Sequence, residues 1–165
     1  AEGPPPHPES TPTQQHARYE FPARGNQPPV TVTWTQGTKP PPIFEQHPFP
    51  NWAWGVFVGS EGMLLVDYGQ RMLWPQEKFA DYRPPEPSIP PSLGHHKEWI
   101  AACKTGSPTT CNFDYSGAVT ETVLLGNVAF RVGQKLEWDA ANMKFPNCPE
   151  AEKYLQREYR PGWTL

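Results

Sequence analysis

Residues 30–36 (Val30-Thr31-Val32-Thr33-Trp34-Thr35-Gln36) alternate strictly between apolar and polar positions. Val30, Val32 and Trp34 fall on one side and the three threonines on the other, which predicts a strand with one buried face. A weaker alternation over 16–22 precedes it across a turn at residues 23–27, so the two predict an antiparallel pair. A second hairpin is predicted further on. Val56-Phe57-Val58 leads into Gly59-Ser60-Glu61-Gly62, and residues 63–68 return, with glycines supplying the turn conformations. Residues 71–74 can add one more short strand.

The period then changes from two to about 3.6. A helix is predicted to start near Ser92 as N-cap and to end before Gly106, with His96, Trp99, Ile100 and Cys103 on one face. A longer helix is capped by Asp114 or Ser116 and ends at Gly133. Val119, Val123, Leu124, Val128 and Val132 form its apolar stripe, while Glu121, Asn127 and Arg131 lie away from it. A short strand over 135–138 and a third helix over 149–159, with Pro149 in its first turn, complete the pattern. The tail 160–165 leaves that helix. Strands first and helices afterwards predict an α+β domain with helices packed on one face of a largely antiparallel sheet.

Composition alters this picture in one respect. The 23 prolines concentrate in an extended arm over 1–15 and in long loops over 38–54 and 75–91. The arm is either disordered or laid across a folded surface. Large rings (seven Trp, six Tyr, eight Phe) offset a lean apolar content of 36%. The net charge of −3 carries no basic stripe, which argues against a nucleic-acid partner. No stretch is long and apolar enough for a membrane, no targeting segment is visible, and a soluble, cytoplasmic protein is expected. Cys103, Cys111 and Cys148 are odd in number. Cys103 and Cys111 can pair across a short loop, but the favoured reading is that all three are small buried hydrophobes.

Candidate chemistry is sparse. His95 opens a helix, where a neutral imidazole can serve as base or ligand; its neighbour His96 points about 100° away on the helix and reads as a packed histidine. Asp67 and Tyr68 end a hairpin strand. Asp67 and His95 are the catalytic candidates, and Asp67, Asp114 and Glu98, with Asp81, are the carboxylates that a calcium-like cation can use if the fold gathers them. Asp114 reads first as a helix cap. Trp52, Trp54 and Tyr68 are rings able to stack on a sugar or to fill an interface. No G-x-S-x-G elbow is present.

The second half carries a longer pattern. Gly94-His95, Glu98-Trp99-Ile100, Ala102-Cys103-Lys104, Asn112-Phe113-Asp114-Tyr115, Leu124-Leu125-Gly126-Asn127, Leu136-Glu137-Trp138-Asp139 and Arg157-Glu158-Tyr159-Arg160-Pro161-Gly162-Trp163 follow in order. With Glu20-Phe21-Pro22-Ala23-Arg24-Gly25 and the Trp34 strand, this order resembles the C-terminal end of the glucose–fructose oxidoreductase / inositol dehydrogenase family. The resemblance implies one truncated C-terminal domain over 1–165. In intact members that domain holds a sugar or cyclitol beside NAD(P), which the N-terminal Rossmann domain binds, and it mediates oligomers. The chain departs from the family in having no G-x-G-x-x-G, no Glu-Lys-Pro segment and no Asp-x-x-x-His pair, so no dehydrogenase activity of its own is expected. Three readings stay open. The chain is a substrate-side and oligomerisation domain, most simply a homodimer through its sheet; or it is a free-standing carbohydrate-binding or interaction module. In the third reading it is a small hydrolase, metal-dependent or not, that opens lactones with activated water.

Overall fold

The computed structural model describes residues 1–37 and 39–163. Thr38, in the first long proline-rich loop, and Thr164 and Leu165, in the predicted tail, lie outside the described residues. The fold is mixed α+β with two small antiparallel sheets, and the chain divides into two compact units, residues 41–106 and the remainder.

In the first unit β1 (Gln15–Phe21) pairs with β2 (Val30–Gln36) in the expected antiparallel register. Ala17 faces Trp34, Tyr19 faces Val32 and Phe21 faces Val30. Residues directly opposite share a face, so these six form one apolar surface. The predicted long helix, α3 (Phe113–Val132), packs on the β1 half of that surface. Gly126 makes the approach possible, because a methyl there would overlap the Tyr19 hydroxyl and sit 3.2 Å from the Ala17 Cβ. The Gln15 amide, buried on the same side, donates to the Gly126 carbonyl at 3.0 Å. Val30, Val32 and Trp34 on the β2 half remain exposed.

The proline-rich arm lies across this unit. Glu2 exchanges two backbone hydrogen bonds with His16, at 2.7 and 2.8 Å, and the His7 carbonyl accepts from Arg131. Behind α3, Val128, Phe145, Cys148 and Ala151 form the core, with Leu125, Val132, Leu136, Trp138 and Leu155 around it.

Several local expectations change. Asn112, rather than Asp114 or Ser116, caps α3: its side chain accepts from the Tyr115 amide at 3.0 Å. The stripe of α3 divides, with Val128 buried and Val119, Val123 and Leu124 exposed, because β1 and the core meet only the C-terminal half of the helix. Residues 135–138 are not a strand. Their backbone is held by one side chain, since Asn147 accepts from the Glu137 amide at 2.8 Å and donates to the Lys135 carbonyl at 2.9 Å. The last helix is a short 3₁₀ helix, Pro149–Tyr154, since only Ala151 and Leu155 offer apolar side chains to the core and residues 156–159 are polar or exposed.

In the second unit, β3 (Gly55–Val58), β4 (Met63–Val66) and β5 (Arg71–Trp74) form a meander. One face, centred on the fully buried Leu65, carries Trp74, whose ring meets Phe49 edge to face at 5.5 Å; Phe49 in turn meets Phe44 of the short α1 (Pro42–Gln46) at 5.6 Å. The first long loop is therefore an aromatic lid on its own sheet. α2 (His95–Thr105) follows an exposed proline-rich run and starts three residues after the turn-forming Ser92, whose hydroxyl accepts from the Gly94 amide at 3.0 Å. No residue of α2 is buried. His96, expected to pack, is exposed along with Trp99, Ile100 and Cys103; that apolar face has no covering element among the described residues.

Candidate functional site

The predicted site residues of the second unit gather in part at the open end of the β3–β4 hairpin. The Trp54 amide donates to the Val66 carbonyl at 3.0 Å, which extends the ladder past Gly55 and fixes Trp54 beside the end of β4. The chain then turns. The Asp67 amide donates to the Gln70 carbonyl, and Asp67 Oδ1 accepts from the Gly69 and Gln70 amides at 2.7 and 2.5 Å. This Asx-type turn projects Tyr68 outward, where it meets Trp54 edge to face at 5.4 Å. Trp54 is 70% and Tyr68 95% exposed, so the pair is a surface platform. Trp52, the third predicted ring, is half-buried two residues before it.

The turn also determines what Asp67 can do. The Gly69 amide holds its carboxyl below the usual carboxylate range; partial burial works against this, and the Gln70 backbone and side chain add to the lowering. Such a carboxylate stays ionised and is a weak base, but it remains a good acceptor. Among the described residues Oδ2 receives only the Gln70 side-chain amide, at 3.2 Å, which leaves acceptor capacity for a hydroxyl. The arrangement suits binding a polyol against two rings better than it suits abstracting a proton.

The other candidates stand apart. His95 is the first residue of α2, exposed, with its ring 4.1 Å from that of His96. Glu98 lies one turn further along the same helix. Asp114 is exposed in the first turn of α3, and it is Asn112 that caps that helix. Among the described residues no three His, Cys, Asp or Glu side chains group as metal ligands do. Cys103 and Cys111 are free and exposed, not small buried hydrophobes, whereas Cys148 is buried as expected and accepts from Gln134 Nε2 at 2.8 Å.

Two concavities were not legible in the sequence. One, of about 520 Å³, runs beside α3 in the first unit between Leu124, Val128, Trp138 and Tyr154. Glu121, expected to face away from the apolar stripe, instead lines it and accepts from the Trp138 indole at 2.7 Å. No periodicity could reveal that contact, since Trp138 arrives from the irregular segment after the helix. The other, about 800 Å³, lies in the second unit under the 3₁₀ helix Gln76–Phe79 and is lined by Leu64, Leu73, Phe79 and Tyr82. None of the predicted site residues lines either one.

Among the described residues no helix is long and apolar enough to cross a membrane. Comparison of the chain with family models, with curated proteins and with solved structures gives no match.

Proposed function

We propose that this chain is a substrate-side and assembly domain of the sugar or cyclitol oxidoreductase type, with no dehydrogenase activity of its own. The assembly part rests on one observation. Two compact bodies of the two units' lengths would together expose roughly 10,000 Å², whereas this chain exposes 14012 Å². Large apolar side chains stand in the exposed surface: Val30, Val32 and Trp34 on β2, Trp99 and Ile100 on α2, Val119, Val123 and Leu124 on α3. Apolar surface on that scale marks an interaction face rather than a finished exterior.

The substrate-side part rests on the Trp54–Tyr68 platform beside the ionised Asp67, a combination suited to the ring face and hydroxyls of a sugar. The three free cysteines fit a reducing compartment, and we place the protein in the cytoplasm. The test has two arms. Light scattering on the full chain is expected to give a discrete oligomer, and titration with simple hexoses and inositols is expected to quench Trp54 fluorescence in a manner that Tyr68→Ala abolishes. A monodisperse monomer that binds no polyol would overturn the proposal.

A further inference from the structure

The edge of β2 identifies the partner. Glu2 takes both the N–H and the C=O of His16, so in this antiparallel pair His16 points away from β2. Its opposite number, Thr35, therefore points away from β1, and by alternation so do Thr33 and Thr31. Among the described residues nothing pairs with these outward backbone groups, because the sheet ends at β2. The two edges are treated differently. The β1 edge is tied at His16 by Glu2 and carries the charges of Arg18 and Glu20, while β2 has no charge, proline or glycine along its seven residues. A long, uncharged, open edge is a template for another strand.

We propose that two copies of this chain pair through β2, antiparallel about a two-fold axis at Thr33, to make a continuous four-stranded sheet. This rests on the assembly reading above and names its partner. The register follows from the backbone. Thr33 meets Thr33 of the partner subunit and Thr31 meets Thr35 of the partner subunit, so every outward N–H and C=O is used. The intervening close pairs set Val32 against Trp34 of the partner subunit and the reverse, on the apolar face that α3 leaves bare. A charge near a two-fold axis meets its own copy, and β2 has none to repel. Pairing also turns a two-stranded ribbon, marginal by itself, into a sheet of stable width. Glu2 on His16 and the charges of Arg18 and Glu20 blunt the outer β1 edges, which stops growth at two copies.

The test uses the full chain with Cys103→Ser and Cys111→Ser as background. Thr33→Cys brings two cysteines to a Cα separation near 5.5 Å across the axis, within reach of a one-carbon bis-thiosulfonate cross-linker. That reagent is expected to give a reductant-sensitive species of twice the chain mass, absent for Thr31→Cys and Thr35→Cys, which meet threonines. Thr33→Pro removes only an outward N–H, so the β1–β2 pair should survive by circular dichroism while the mass from light scattering halves to 18.6 kDa. A wild-type dimer that neither cross-links through Thr33→Cys nor dissociates with Thr33→Pro overturns the strand pairing but leaves assembly through another face standing. A wild-type monomer at high micromolar concentration overturns both.

Discussion

β1 and β2 are two strands of equal length in one hairpin, each apolar on the same face, and they meet opposite fates. β1 is covered by α3, tied at its edge by Glu2 and anchored by Glu20 to Lys135 at 2.5 Å. β2, the stronger strand by sequence, is covered by nothing among the described residues. Ala17 is 2% exposed while Trp34, directly opposite, is 54% exposed. Strand strength and burial are thus separate properties here. Alternation fixes which way side chains point, and only tertiary partners decide whether that side is dry.

The contrast predicts a steep ranking of mutational effects. The core that carries α3 onto β1 should be least tolerant. Phe145→Ala removes a 1%-exposed ring that meets Trp138 at a tilt, 4.9 Å between centroids, and is expected to cost about 3–5 kcal/mol in urea unfolding of the first unit. A cost near zero would mean that this unit is held by something other than its core. Gly126→Ala comes next. The added methyl must push Tyr19 away, so a loss of about 1–2 kcal/mol is expected despite the better helix propensity of alanine. Tyr19→Phe, which removes the overlapping hydroxyl, should recover part of that loss; strict additivity would contradict the close approach. On the β2 side, Trp34→Ala should change the stability of the isolated chain by no more than about 0.5 kcal/mol while weakening self-association measurably by sedimentation.

The smallest effect concerns acid. Lys135, by hydrogen bond and charge, holds Glu20 below the usual carboxylate range, and Arg18 adds to this. A lowered folded value means that the stabilisation is present above the unfolded carboxylate value and is lost as pH falls through the folded one. The wild-type chain should therefore lose slightly more stability than Glu20→Gln between pH 5 and the acid limit, and the difference should fade with added salt.

Alternation was enough to place β1 and β2 and helical spacing to place α2 and α3 to within a few residues, while the glycines at 59 and 62 marked the hairpin of the short β3 and β4. Local period gave no account of 135–138, where Asn147 supplies from ten and twelve residues away the hydrogen bonds a sheet would have supplied. The Trp54–Tyr68 pair was legible only as separate rings; the Asx turn at Asp67 brings them together, and side-chain contacts across a turn leave no periodic trace. Exposure was misjudged for α2, whose apolar face predicted packing, since sequence records which face wants cover and not whether the same chain provides it. The same gap hid the difference between β1 and β2.

Amide hydrogen exchange along β2, measured as a function of protein concentration, tests that difference most directly. Val32 and Trp34 bond inward to β1 and should be protected at every concentration. Thr31, Thr33 and Thr35 point outward and should exchange fast when dilute, then slow together as the dimer forms. Outward amides that stay fast up to high concentration would contradict the account, as would protection of all five that does not depend on concentration.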